Sequence, residues 1–182
     1  MAAKNTDPSA EALLKSALDY LAHYASSGEN LRRVLLRRAE KMGAKPGDAA
    51  PVIATIVERC TGAGLIDDAT YAASQVASLA RRGHSRQAIR FRLAQKGVAN
   101  GVTDAALARR DEDGAGEVAA ACALVRRRRL GPLRPAAARA QFRDRDLGIL
   151  ARAGFALDLA RRVLSARDKA ALDALAQEKE ES

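Results

Sequence analysis

The sequence predicts an all-α protein, an elongated array of three tandem three-helix repeats. Three observations carry that prediction. The 182-residue chain holds 42 alanines and 24 arginines against 7 lysines, and alanine and arginine stand high among helix formers. Its six aromatics, Tyr20, Tyr24, Tyr71, Phe91, Phe142 and Phe155, are too few and scattered for a sheet core or for the stacking platforms of an OB-fold or RRM. A pattern of apolar and basic residues also recurs along the chain. Leu31-Arg32-Arg33-Val34-Leu35 aligns with Ile89-Arg90-Phe91-Arg92-Leu93, 58 residues on. Leu93-Ala94-Gln95-Lys96-Gly97-Val98 then aligns with Leu150-Ala151-Arg152-Ala153-Gly154-Phe155, a further 57 on. Alanine supplies nearly half the apolar residues, and burial stabilises by only about 25 cal/mol per Å². Thin cores shared among short helices follow, with neighbouring repeats stacked on one another.

The elements are expected in this order. Asp7 and Pro8 open a first helix, with Leu14, Leu18 and Leu21 at helical spacing, and Ser26-Ser27-Gly28 ends it. A second helix runs from Asn30 to Met42 with Leu31 and Leu35 inward, and Gly43 to Pro51 is a loop. A third covers Val52 to Thr61 and stops at Gly62 and Gly64. In the second repeat, Asp67 or Asp68 caps a helix reaching Arg82, with Ala72, Val76 and Leu79 on one face. Gly83-His84 breaks it, and Ser85 caps a helix ending near Gly97 with Ile89 and Leu93 inward. Thr103 caps a short helix to Arg110, followed by an acidic linker over 111–116. The third repeat has a helix through Val118, Cys122 and Val125 into Arg126–Arg129, a proline interruption at Leu130 to Pro135, then helices over 137–153 and 156–166. The corresponding organisation is a flexible 1–8, repeats over 9–64, 65–112 and 113–168, and a charged tail over 169–182.

Several function classes fall away. No apolar run reaches the roughly 18–20 residues of a membrane span, and Met1 to Pro8 lacks the apolar stretch of a signal peptide. Cys60 and Cys122 have neither a disulfide framework nor metal-ligand spacing, so the expected setting is the reducing cytoplasm. Both are expected as small buried apolar residues. His23 and His84 have no acid or cysteine at ligand spacing. Asp67 and Asp68 read as helix-capping acids rather than catalytic carboxylates, and Tyr71 as a core or inter-repeat residue. No phosphate-binding loop or nucleophile motif occurs. The expectation is a protein without enzyme activity, metal or cofactor.

The net charge of +9 is distributed in stretches. From Ala69 to Thr103 there is no acid, while Arg81, Arg82, Arg86, Arg90, Arg92 and Lys96 are basic. Arg86 and Arg90 share a helix face and repel by a few tenths of a kcal/mol, which points to an external anion. Arginine also binds phosphate or carboxylate with two parallel hydrogen bonds. Arg126, Arg127, Arg128 and Arg129 begin a second basic stretch with Arg134, Arg139, Arg143 and Arg145, interrupted by Asp144. Arg32 and Arg33, with Arg37, Arg38 and Lys41, form a weaker one beside Glu29 and Glu40. A basic stripe in each repeat suits a long polyanionic partner.

The stretch Gly64-Leu65-Ile66-Asp67-Asp68-Ala69-Thr70-Tyr71-Ala72 resembles the most recognisable motif of the RecX family. Arg81-Arg82-Gly83-His84-Ser85, the stretch from Ile89 to Val98, then Leu150 to Phe155 and Ala160-Arg161-Arg162-Val163-Leu164 follow in that family's order. The longer loops at Gly43 to Pro51 and Leu130 to Pro135 depart from its pattern. The resemblance implies a monomer when free that lodges in the groove of the RecA–DNA filament. There it would block recombinase, ATPase and coprotease activities, modulating DNA repair and the SOS response. The basic residues above would contact filament or DNA, single- or double-stranded, through phosphate and without sequence preference. The alternative is a helix-turn-helix transcription regulator, with Asp68 to Gly97 as helix, turn and recognition helix.

Overall fold

The computed structural model describes residues 9–45, 47–112 and 116–178. Among them are ten α-helices, one turn of 3-10 helix and no strand. The helices are α1 (Ala10–His23), α2 (Gly28–Lys41), α3 (Ala50–Gly62), α4 (Asp68–Arg81), α5 (Arg86–Gln95), α6 (Asn100–Glu112), α7 (Glu117–Arg128), α8 (Ala136–Arg152), α9 (Leu157–Leu164) and α10 (Lys169–Leu175). The 3-10 turn, Gly131–Leu133, carries Pro132 and breaks the helix where the two prolines fall. α1 and α4 begin and end 58 residues apart, as do the starts of α2 and α5, so the repeat seen in the sequence is a repeat of helices.

Several boundaries differ from the sequence expectation, each for a local reason. α1 starts at Ala10 because Ser9 caps it, its side chain accepting from the Ala12 N–H at 3.2 Å. Asp7 and Pro8 lie outside the described residues, as does the rest of 1–8. In α1 the seam is Leu13 and Ala17, while Leu18 is exposed although its counterpart Val76 is buried. Pro51 belongs to the first turn of α3, where its missing N–H has no helical partner to lose. Thr103 is no cap. It lies buried inside α6, its N–H donating to the Ala99 carbonyl at 3.1 Å. Asp111 and Glu112 extend the same helix, and 113–115 lie outside the described residues. Residues 169–175, expected within a charged tail, form α10. Asp168 caps it by accepting from the Ala171 N–H at 2.9 Å, and Leu172 is fully buried.

The described residues form two compact units, those up to 71 together with 95–98, and those of 72–94 together with the ones from 99 onward. In the first, α1, α2 and α3 pack together around Leu13, Leu31, Leu35, Ile53, Ile56, Cys60 and Ile66. In the second, α9 packs on α7 and α8, and α10 covers α7. α7 is buried on most of its circumference, through Val118, Ala120, Ala121, Cys122, Leu124 and Val125.

Each unit contains a junction between successive repeats, and the two junctions are built alike. In the first unit, Ser27 caps α2 by accepting from the Asn30 N–H at 3.2 Å, and its hydroxyl donates to the Lys96 carbonyl. In the second, Ser85 caps α5 by accepting from the Ala88 N–H at 3.2 Å and donates to the Ala153 carbonyl at 2.7 Å. The next orphan N–H of each helix also finds a partner from the following repeat. Gly28 N–H donates to Asp68 at 2.9 Å, and Arg86 N–H donates to Glu117 at 3.0 Å. Each acid is the first residue of its own helix, so one carboxylate serves the start of another. Gly97 (φ 73°) and Gly154 (φ 86°) make the close approach possible. A Cβ on Gly97 would overlap Glu29, and one on Gly154 would stand 2.6 Å from the Ser85 Oγ.

Candidate nucleic-acid interface

The basic residues singled out in the sequence divide into two groups by what lies beside them. Arg86 pairs with Asp111 at 2.7 Å and Arg90 with Asp104 at 2.7 Å. Both acids belong to α6, beyond the acid-free window, so the apparent excess on α5 is largely cancelled once the chain folds. Arg126 takes Asp173 of α10 through two nitrogens, at 2.9 and 2.6 Å. Within the first unit, Arg32 and Arg33 both grip Glu29, at 2.6 and 2.8 Å. The Arg32 hydrogen bond and its companions hold the Glu29 carboxyl down to about 2. Arg33 also donates to the Gln95 carbonyl at 2.9 Å.

Farther along the second basic stretch, Arg134 makes a two-pronged bond to Asp146 at 2.7 and 2.7 Å. Asp146 is 1% exposed and also accepts from the Gly131 N–H at 2.9 Å. Burial pushes the Asp146 carboxyl up, but the Arg134 and Gly131 hydrogen bonds outweigh it and leave a net lowering. Arg139 donates to three carbonyls, those of Pro132, Arg134 and Arg167. These two arginines brace the bend after α7.

Arg81, Arg82, Arg92, Lys96, Arg127, Arg128 and Arg129 are exposed. Among the described residues none of the seven pairs with a carboxylate. Some of this placement serves the helices, because cations are favoured at the C-terminal ends of α4 and α7. Three of them do something more. The break after α4 places His84 where Arg82, Arg92 of α5 and Arg127 of α7 all act on it. Burial lowers its pKa, and the charges of Arg92, Arg127 and Arg82 lower it further. The charges of three guanidiniums without carboxylate partners thus act, together with burial, against protonation of a half-buried imidazole. An anion near these charges would relieve their mutual repulsion.

His84 was a sequence candidate for nothing, and no local signal marks Arg127 as its neighbour. Arg82 and Arg92 were legible as bases without acids nearby. The remaining candidates settle into structural positions. Asp67 caps α4 by accepting from the Ala69 and Thr70 N–H groups at 2.9 and 3.0 Å, while Asp68 serves α2. His23 Nδ1 bonds the Asp19 carbonyl at 2.9 Å. Cys60 and Cys122 are buried, and burial pushes the Cys122 thiol up to about 11. Tyr71 is half-buried, and burial raises its hydroxyl, with Tyr20 and Asp68 adding to it. No helix among the described residues is long and apolar enough to cross a membrane.

Two of the cluster's arginines, Arg82 and Arg92, lie in a stretch that matches a known domain, whereas Arg127 of α7 lies beyond it. A family model for the second three-helix domain of RecX matches residues 67–107. Over 156 residues the chain is 36% identical to regulatory protein RecX of Myxococcus xanthus, covering 84% of this chain and 83% of that one. It is 34% identical over 103 residues to regulatory protein RecX of Halorhodospira halophila, covering 57% and 59% of the two chains. Its fold matches the crystal structure of RecX from Lactobacillus salivarius with a TM-score of 0.61 at 17% identity, over 91% of this chain and 97% of that one. A second crystal structure, of regulatory protein RecX, superposes with a TM-score of 0.58 at 24% identity, over 86% and 71%. At those identities the structures speak for the fold, and the longer sequence match speaks for descent: the chain belongs to the RecX family.

Proposed function

We propose that this chain is a regulator without catalysis of its own, which binds the RecA–DNA nucleoprotein filament and inhibits its recombinase and ATPase activities. Family membership supports RecA as the target, and the observation that carries the mode of binding is the cluster around His84. Arg82, Arg92 and Arg127 form a positive site without a carboxylate of its own, as a partner built of repeated phosphates requires. Arg81, Arg128 and Arg129 add unpaired charge within the same unit, and Lys96 is unpaired in the other. Arg86, Arg90 and Arg126 hold carboxylates on other helices and act chiefly within the fold. This division counts against the reading of α5 as a sequence-reading helix, since Arg86 and Arg90 are already engaged.

The mechanism is one of occupancy. A chain seated on the filament by phosphate contacts bridges neighbouring RecA protomers and obstructs entry of a second duplex. The test is RecA strand exchange and ATP hydrolysis with increasing amounts of purified protein. Both activities should fall as the protein approaches RecA in concentration, and undiminished rates at molar excess would dispose of the reading.

A further inference from the structure

Phe91 is the most exposed large apolar side chain among the described residues, at 64%. It lies in the middle of α5, whose inward positions are Ile89 and Leu93. At about 100° per residue, Phe91 is turned some 160–200° from both and faces away from the core. Repeat packing does not require an aromatic there. The same register holds Arg33 in the first repeat and Gly148 in the third, neither of them aromatic. The chain has few aromatics, yet it presents this one to solvent between two arginines. Arg90 on one flank is held by Asp104. Arg92 on the other flank is exposed and belongs to the unpaired cluster.

An exposed aromatic beside unpaired guanidiniums is the pairing of parts by which single-stranded nucleic acid is held. Cations take the phosphates, and the ring takes the face of a base without discriminating among bases. A duplex keeps its bases stacked on each other, so only an unstacked strand offers this contact. We infer that Phe91 is a base-stacking residue for single-stranded DNA, placed beside the phosphate site formed by Arg82, Arg92 and Arg127. The inference rests on that phosphate reading and adds to it a preference for single strands over duplex and over strands without bases.

The experiment compares a thymidine oligonucleotide, an abasic oligonucleotide of equal length and a duplex, binding each to the full-length chain by fluorescence anisotropy. Phe91→Ala should weaken binding to the thymidine strand by between about fivefold and a hundredfold. It should leave the abasic strand and the duplex unchanged, and the salt dependence with them. Phe91→Trp should restore binding, and Phe91→Leu should not. Because the side chain is exposed, circular dichroism should show all three variants folded as the parent. Equal binding of the thymidine strand by parent and Phe91→Ala would overturn the inference, as would full retention by Phe91→Leu, which marks an apolar contact with protein instead. Those results leave the phosphate site standing. Failure of the parent to bind any of the three probes would remove the phosphate reading and this inference together.

Discussion

At the scale of single residues, His84 reports on the cluster around it. Burial and the charges of Arg92, Arg127 and Arg82 keep its pKa below the ordinary value, which is about 6.5. The unfolded chain therefore binds the proton more readily than the folded one, and stability falls as pH drops from about 6.5 to the lowered pKa. A bound phosphate would shield the arginines and so weaken this preference, while the burial remains. Adding oligonucleotide should raise the His84 pKa measured by NMR titration, and binding should tighten as pH falls through the same range. An unmoved pKa would mean that the anion sits elsewhere. Asp146 makes a different prediction. Its buried carboxylate is matched to Arg134, and removing one partner leaves the other charge uncompensated. Asp146→Asn should lower stability in urea denaturation by about 1–3 kcal/mol, because Arg134 keeps partial access to solvent, with little effect on polyanion affinity per folded molecule.

At the scale of elements, the junctions set how one repeat meets the next. Ser85→Ala removes both a cap and a bond to the following repeat, and should cost about 1–2 kcal/mol. Gly154→Ala combines a strained positive φ, about 1–2 kcal/mol, with overpacking against Ser85, about 1–3 kcal/mol. Gly64 also has a positive φ (71°), with open space around it, so Gly64→Ala should show the strain alone. Equal losses for Gly154→Ala and Gly64→Ala in denaturant titrations would contradict the junction geometry. Much of this level was legible in the sequence. Ser85, Gly83 and the Ile89/Leu93 seam mark α5 locally, and the 57–58-residue offset aligns both junction glycines. Thr103 misled because a Thr inside a helix looks like one before it. α10 was hidden because Leu172 is its one fully buried large side chain in a short charged segment. The Arg86–Asp111 and Arg90–Asp104 pairs were invisible because their acids lie on another helix, and counting charges within a window cannot bring them back.

At the scale of the whole molecule, the net charge of +9 matters less than which cations remain unpaired. Replacing Arg82, Arg92 and Arg127 together with Gln changes the charge by only three. It should nonetheless reduce the slope of log affinity against log salt by about 2–3, if each guanidinium neutralises one phosphate. The same variant should differ little in stability from the parent, because relief of mutual repulsion offsets the loss of favourable charge at the ends of α4 and α7 and no internal salt bridge is removed. Loss of function would then be separated from loss of fold. The most direct measurement is inhibition of RecA-driven strand exchange by the Arg82/Arg92/Arg127→Gln protein beside the parent. The variant should fold normally and require at least tenfold more protein for half-inhibition, whereas half-inhibition at the parent's concentration would contradict the assignment of the cluster as the filament-binding site.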